Sequence, residues 1–224
     1  PFLEDPRVEI FFDKTGKGAG HARNVGLEHA QGKWIVFSDA DDYFLYSINN
    51  AMDEYVDSLY DIVYFLTQNV DTNTYIPSTS PRGCNNYVTE YQARRKNSEI
   101  NLRINYHTPW GKFYKSSLIS KYNIKFDEVF RANDVHFGYL VGYYASTIFA
   151  DNRAIYCLTN RSDSLSTIYS PETCIMISDV YCTCIDFLKA NRLYGTGVYW
   201  HTYKGVINML VLLKAADKNK YNET

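Results

Sequence analysis

The sequence predicts an α/β fold, with a mostly parallel sheet and helices on its faces. Short apolar runs of strand length alternate with segments of helical periodicity through most of the chain. Such alternation is typical of parallel strands that are joined by helical crossovers. The chain has 224 residues, 46% of them hydrophobic, which suffices for one core plus a helical appendage.

Each element follows from its local pattern. Strands are predicted where short apolar runs stop at polar turns, and helices where apolar residues recur every three or four positions. The predicted strands span residues 8–12, 33–38, 61–67 and 146–159. The predicted helices span residues 20–31, 44–58, 88–97, 134–145, 171–190 and 198–216, with a hairpin or loop at 68–87. We therefore expect a main domain at 1–170 and a helical extension at 171–224 that packs on it.

The last predicted helix has a broad apolar face made of Val206, Ile207, Leu210, Val211 and Leu213. We expect this face to pack on the main domain, with a partner subunit or peripheral contact with a membrane surface as the alternatives. The apolar stretch inside the helix is too short to cross a bilayer.

Three carboxylates directly follow the apolar run Trp34–Phe37. They are Asp39, Asp41 and Asp42. In extended chain, residues two apart point to the same side, so we expect Asp39 and Asp41 to project together, about 7 Å apart at Cα. Hard cations such as Mn²⁺ or Mg²⁺ relieve such repulsion and bridge carboxylates to phosphates. The segment therefore predicts a site for a metal–diphosphate complex. Asp42 has a second interpretation, as the N-cap of the predicted helix 44–58.

A glycine-rich segment, Gly16–Leu27, precedes the aspartates and opens the predicted helix 20–31. Backbone N–H groups at such a helix start can face phosphate, although the spacing fits neither a P-loop nor a dinucleotide fingerprint. Arg23 is a candidate clamp for phosphate or ribose, and a surface salt bridge is its alternative role.

The segments combine in a recognisable order, Ala22-Arg-Asn-Val-Gly-Leu-Glu-His-Ala-Gln-Gly-Lys-Trp-Ile-Val-Phe-Ser-Asp-Ala-Asp-Asp42. This order resembles the family 2 glycosyltransferases, whose nucleotide-sugar domain has the GT-A fold. The likeness continues at 108–119, 123–128, Asn133-Asp134 and 156–166, and it covers residues 1–170.

The resemblance implies a role for each matching position. Arg23, Asn24, Asp39 and Arg161 would bind the donor nucleotide-sugar, and Asp39 and Asp41 would hold Mn²⁺ or Mg²⁺. Asp134 would be the general base, although it could also be only a helix N-cap, and Asn133 stands where the family commonly has Glu. Trp110 and Lys112 would lie on the acceptor side, unless Trp110 is a buried anchor for its loop.

The resemblance also implies that family members begin with a strand, a helix and a second strand before the part that matches here. We expect roughly 40–50 residues of this kind to be absent from the sequence, at ordinary element lengths. Because buried parallel strands would then be missing, we expect weak nucleotide binding or self-association.

The implied activity is that of an inverting transferase that moves a sugar from a nucleotide diphosphate, expected to be UDP, to a hydroxyl. Its acceptor would be a bacterial surface polysaccharide, a capsule precursor or another glycan, lipid-linked or protein-linked. The motif of processive members is missing, so we expect one sugar per encounter. A nucleotide-sugar-binding module without turnover is one alternative, and a nucleotidyltransferase is another.

Composition limits the partners and the compartment. The net charge of −2 gives no electrostatic argument for nucleic acid. Five cysteines without Cys-x-x-Cys spacing favour a reducing, cytoplasmic setting, which could include the inner face of the membrane. Homo-oligomerisation stays open.

Overall fold

The computed structural model describes residues 4–12, 15–72, 74, 76–77, 83–160, 169–193 and 196–221. The elements in chain order are α1 (Gly18–His29), β1 (Trp34–Ile35), β2 (Tyr43–Phe44), α2 (Ser47–Tyr55), β3 (Ile62–Asp71), α3 (Gly83–Gln92), α4 (Ser98–Asn105), β4 (Lys112–Lys115), α5 (Ser116–Lys121), α6 (Val135–Tyr144), β5 (Ile148–Asn160), α7 (Pro171–Ala190) and α8 (Gly197–Tyr221).

The strands form one mixed sheet in the order β1-β4-β3-β5-β2. The predicted α/β class with C-terminal helices is confirmed, but the sheet is not mostly parallel, since β3 with β5 is the one parallel pair of neighbours among the described strands. The orientation changes because β4 lies antiparallel between β1 and β3. Only four residues long, with a lysine at each end, β4 has too little apolar pattern to be predicted.

The long β3–β5 ladder forms the centre of the core. Its register runs from Ile62 opposite Ile148 to Asp71 opposite Asn160. The first four residues of β3 are at most 1% exposed, as expected for a strand that is covered on both faces. This ladder fixes the end of β5 beside the loop that follows β1, which is where the aspartates lie.

The structure differs from the predicted elements in several places besides β4. The predicted strand 33–38 is limited to β1, and the predicted helix 44–58 begins only at Ser47, because Tyr43–Phe44 form β2. The predicted loop 68–87 is shortened by the end of β3 and the start of α3.

Residues 8–12 do not form a strand, because no described strand pairs with them, and Val8 and Phe12 remain exposed. The predicted helix 88–97 ends earlier, since Arg94 and Asn97 adopt positive φ angles of 51° and 62°. The chain turns there and starts a new helix, α4, that was not predicted.

The two C-terminal helices follow the prediction closely. The Ser170 hydroxyl accepts a hydrogen bond from the backbone N–H of Thr173, and the Ser170 N–H donates one to the Thr173 hydroxyl, so a capping box starts α7. A second apolar cluster joins these helices to the α/β part through Ile104, Val135, Tyr139, Val180, Cys184, Leu188 and Val198. The predicted domain boundary at residue 170 stays a prediction.

Candidate functional site

The predicted aspartates lie on a tight turn between β1 and β2. The backbone N–H of Asp42 donates to the carbonyl oxygen of Asp39 at 3.2 Å, which closes a four-residue turn. The rule that residues two apart share a face applies only to extended chain, so it does not hold at this turn, and the shared projection of Asp39 and Asp41 stays a prediction. The Asp41 side chain is exposed, whereas Asp39 and Asp42 are half-buried.

Two residues of β5 hold this turn in place. The Tyr156 hydroxyl donates to Asp42 Oδ2 at 2.9 Å and accepts from the Asp39 N–H at 2.8 Å. The Thr159 N–H donates to Asp42 Oδ1 at 2.8 Å, and its hydroxyl donates to the Asp41 carbonyl at 2.6 Å. Asp42 therefore anchors the turn. It does not cap α2, whose N-cap position is taken by the residue before Ser47.

Burial raises the pKa of the Asp42 carboxyl, and the neighbouring charges of Asp41 and Asp39 add to that rise. The hydrogen bonds from Thr159 and Tyr156 act in the opposite direction without cancelling it. The crowding of negative charge that the sequence predicted is thus present at this turn.

Arg23 connects the aspartate turn to the loop before α6. Its guanidinium donates to Asp39 Oδ1 at 2.5 Å and to Asn133 Oδ1 at 2.8 Å, and it lies 5.4 Å from the centre of the Phe126 ring. The side chain is only 16% exposed, so this ion pair is not an ordinary surface salt bridge. Because Asn133 precedes Asp134, Arg23 brings the two predicted halves of the site together.

Helix α1 lies close against the loop that leads to Asp134. A Cβ on Gly20 would overlap the carbonyl oxygen of Asp127, so only glycine allows this approach. One turn later the buried Asn24 amide donates to the Phe126 carbonyl at 2.9 Å and accepts from the Phe126 N–H at 2.8 Å. Both polar atoms of the Asn24 side chain therefore clamp the backbone, and its predicted contact with the donor stays a prediction.

Asp134 occupies the N-cap position of α6, but its carboxylate makes no capping hydrogen bond. Only its backbone carbonyl takes part in the helix, accepting from the Gly138 N–H at 2.9 Å. The side chain is half-buried, and its charge acts on His107, Lys112 and Tyr114. A carboxylate that does not cap its helix remains available to accept a proton.

Trp110 lies against β5 and faces the core. Its indole stacks on the Tyr156 ring at 5.7 Å between centroids, with an interplanar angle of 7°, and the residue is buried. This packing agrees with the alternative role, a buried anchor for the loop, and the predicted acceptor contact of Trp110 stays a prediction. Since Tyr156 binds the aspartate turn, Trp110 supports that turn from behind.

Lys112 is also buried, with 1% of its surface exposed, so it does not line an open acceptor pocket. Its ammonium donates to the carbonyl oxygen of Thr108 at 2.7 Å and to that of Tyr106. The rings of Tyr106 and Tyr64 lie 4.1 and 5.3 Å from the same nitrogen. These contacts hold the loop that carries Trp110, and the predicted acceptor contact of Lys112 stays a prediction.

Burial lowers the pKa of Lys112 to about 7, although the negative charge of Asp134 favours its protonated form. Desolvation likewise lowers the pKa of His107, and Asp134 opposes that shift. The charge of the carboxylate predicted as the base thus acts on a buried lysine that titrates near neutral pH.

The residues present fit a hard cation only in part. Among the described residues, no three His, Cys, Asp or Glu side chains come together as a metal site. One oxygen of Asp39 is engaged by Arg23, which leaves the exposed Asp41 as the accessible carboxylate of the turn. A cation that is bound through one or two carboxylates and completes its shell with phosphate and water is compatible with this arrangement.

Arg161 lies outside the described residues, so its predicted contact with the donor is not addressed. The sequence did not identify Tyr156 and Thr159 as part of the site. Its one indication was that Tyr156 begins the 156–166 segment. Nothing in that pattern showed that β5 would pair with β2 beside the aspartates.

A groove of about 720 Å³ lies between α7 and residues 127–129, and none of the predicted site residues lines it. His136, which does line it, points its Nδ1 at Asp127 Oδ1, 3.2 Å away. His136 therefore contacts Asp127 and not the aspartates of the turn.

In a comparison with known proteins, the family model "Glycosyl transferase family 2" matches residues 2–122. An uncharacterized glycosyltransferase of Bacillus subtilis, EpsJ, is 29% identical over 198 residues, which are 85% of this chain and 56% of EpsJ. An uncharacterized glycosyltransferase of Haemophilus influenzae is 52% identical over 40 residues, covering 18% of this chain and 16% of that protein.

The fold is similar to crystal structures of S. aureus TarS. TarS 1–349 in complex with UDP-GlcNAc matches with a TM-score of 0.56 at 21% identity over 87% of this chain and 52% of TarS 1–349. The complex of TarS 1–349 with UDP matches with a TM-score of 0.52. The chain thus spans about half the length of EpsJ and of TarS 1–349. Because the family model covers more than half of the sequence, the chain belongs to glycosyl transferase family 2.

Proposed function

We propose that the chain holds the donor site and the general base of an inverting glycosyltransferase. The double hydrogen bond of Arg23 carries this proposal, because it joins Asp39 of the aspartate turn to Asn133, the neighbour of Asp134. A donor diphosphate at the turn would therefore lie beside a carboxylate that can take a proton. Asn133, which replaces the common Glu, contributes here as the acceptor of the Arg23 hydrogen bond.

The proposed reaction is a single in-line displacement at C1 of the donor sugar. The acceptor hydroxyl attacks C1, its proton passes to Asp134, and the bond from C1 to the diphosphate oxygen breaks on the opposite side. The product is inverted at C1, and the nucleoside diphosphate leaves. Arg23 and Arg161 are proposed to bind the donor phosphates or ribose, since a guanidinium matches phosphate oxygens with paired N–H donors.

Asp41, with Asp39, is proposed to hold Mn²⁺ or Mg²⁺. When bound, the cation supplies positive charge against the departing diphosphate. The chain's own contribution is the fixed position of the turn, which Tyr156 and Thr159 secure by four hydrogen bonds.

We further propose a UDP-sugar as donor, which is supported by the TarS complexes with UDP-GlcNAc and UDP. The acceptor is proposed to be a bacterial surface polysaccharide or capsule precursor, supported by the bacterial origin of the two curated relatives. A cytoplasmic site, at the inner face of the membrane, is supported by five cysteines that are all unpaired.

Calorimetry tests the donor site. UDP and UDP-GlcNAc are titrated into the chain with Mn²⁺, with Mg²⁺ and with a chelator. We expect metal-dependent binding that is lost in Asp41→Ala and kept in Asp53→Ala, which removes an exposed carboxylate of α2 outside the turn. Equal binding by wild type and Asp41→Ala would contradict the metal assignment. Absence of nucleotide binding under every condition would contradict the donor site.

Turnover separates the transferase from a binding module. Because the acceptor is unidentified, the assay follows hydrolysis of UDP-GlcNAc, in which water takes the position of the acceptor hydroxyl. The measured product is free UDP. Asp134→Asn should lower this rate by about 10²–10⁴-fold and leave UDP affinity unchanged. A wild type that binds the donor without releasing UDP would favour the binding module, and release of pyrophosphate would indicate nucleotidyl transfer.

A further inference from the structure

Helix α8 has two apolar faces, and only one of them is covered by the described protein. At about 100° per residue, one side of the helix carries Val198, Thr202, Val206, Met209 and Leu213. Val198 and Thr202 are fully buried, and the Thr202 hydroxyl lies 2.6 Å from the Tyr139 hydroxyl of α6. The sequence predicted one broad face that included Ile207, Leu210 and Val211, but the structure places these three on the opposite side.

The second face is an exposed stripe of five large side chains. Trp200, Tyr203, Ile207, Leu210 and Val211 are each between 44% and 62% exposed. Their spacing places them in one row, which runs along about 16 Å of helix. We call this row the α8 stripe. A contiguous apolar row of this kind marks a contact with a partner or a membrane.

The charge of α8 indicates what covers the stripe. The helix contains four lysines and one aspartate, a net charge of +3, while the whole chain carries −2, so the remaining residues carry −5. Lys204 and Lys214 are exposed, the first within the length of the stripe and the second one turn beyond it. The sequence of the helix that carries the exposed apolar row is therefore basic, whereas the rest of the chain is acidic.

A second copy of the chain is a poor occupant. Five side chains of these sizes and exposures present on the order of 500 Å², below the ~800 Å² that each partner contributes to a standard interface. Two such helices would also bring like charges together. An anionic lipid surface, by contrast, matches the lysines and accepts an apolar row in the boundary between headgroups and acyl chains.

We propose that α8 lies flat on a bilayer that contains anionic lipids, with the α8 stripe inserted and its lysines against the headgroups. Trp200 and Tyr203 suit that depth, since aromatic rings with one polar end favour the membrane interface. The helix lies on the membrane and does not cross it: among the described residues, none of the helices is both long and apolar enough to span a bilayer.

Vesicle flotation tests the proposal, with phosphatidylcholine vesicles compared against vesicles that also contain phosphatidylglycerol. We expect binding to the anionic vesicles that weakens with added salt. Lys204→Ala and Lys214→Ala should each weaken this binding by about fivefold. Leu210→Ser combined with Val211→Ser should reduce binding at least about tenfold. The matched control, Val56→Ser combined with Leu59→Ser, removes exposed apolar side chains at the end of α2 and should bind like wild type.

Trp200 gives a second measurement. Its fluorescence should shift to shorter wavelength with anionic vesicles. Trp200→Phe should remove that shift, since Trp110 is already buried and Trp34 is half-buried against the core. All substituted side chains are exposed, so the variants should keep the circular dichroism spectrum of wild type. Failure to float, or equal flotation with both vesicle types, would overturn the proposal. Light scattering that shows a dimer dispersed by the Leu210 and Val211 substitutions, without flotation, would identify a second copy as the occupant and overturn it too. None of these measurements depends on the proposed activity.

Discussion

Removing one hydroxyl should show how strongly β5 holds the aspartate turn. Tyr156→Phe deletes the group that donates to Asp42 and accepts from the Asp39 N–H, at 2.9 and 2.8 Å, in a fully buried residue. A neutral hydrogen bond contributes about 1 kcal/mol and one to a carboxylate about 1.5–3 kcal/mol. Asp42 is half-buried, so water recovers part of that loss, and we expect a decrease in the free energy of unfolding of about 2–3 kcal/mol.

A second tyrosine provides the matched control. The Tyr114 hydroxyl is equally buried but has no hydrogen-bond partner among the described residues. Removing an unpaired buried hydroxyl relieves a desolvation cost, so Tyr114→Phe should leave stability unchanged or raise it.

Thermal unfolding followed by circular dichroism measures both variants. At about 2–4 °C per kcal/mol for a chain of this size, Tyr156→Phe should lower Tm by about 5–10 °C. Equal shifts for the two substitutions would refute the reasoning, because the effect would then come from generic packing of the ring and not from the two hydrogen bonds.

Three further substitutions test the elements around the turn, each measured by chemical denaturation. Gly111→Ala should lower the free energy of unfolding by about 2–3 kcal/mol, since Gly111 has φ of 70° and a Cβ there would overlap the Tyr106 hydroxyl; a neutral result would contradict that geometry. Asn24→Leu should lower it by about 2–3 kcal/mol, because the N–H and carbonyl of Phe126 lose their partners. Raising the pH from 7 to 9 should raise the free energy of unfolding of wild type by about 2 kcal/mol relative to Lys112→Met, because the folded-state pKa of Lys112 is about 7 and the unfolded chain binds more protons in that window. Parallel pH profiles for the two proteins would show that burial does not perturb Lys112.

Local patterns predicted the elements that have clear periodicity or composition. The apolar run at 61–67 became the core strand β3, and the helix predicted at 171–190 has those same limits, because Ser170 and Pro171 mark its start. The strand β4 and the helix α4 were missed, since a four-residue strand and an eight-residue helix carry too little pattern. Their identity depends on the neighbours that they meet in the fold.

The sequence predicted which residues form the site better than it predicted the contacts that those residues make. Asp39, Arg23 and the loop at Asn133 do come together, although 110 residues separate Arg23 from Asn133. Sequence alone could not show that Lys112 is buried, because a lysine in a strand ordinarily reaches solvent. It also could not reveal Tyr156, whose role depends on the pairing of β5 with β2.

The hydrogen bonds of Tyr156 and Thr159 to Asp42 have a consequence for synthesis of the protein. These partners follow Asp42 by 114 and 117 positions in the chain. At the usual pace of translation, that gap takes about 6 to 23 seconds. In a nascent chain that has not yet reached β5, the loop with the aspartates lacks these hydrogen bonds, so the acidic turn is completed late. A message that stops before Tyr156 yields a polypeptide in which the turn never forms them.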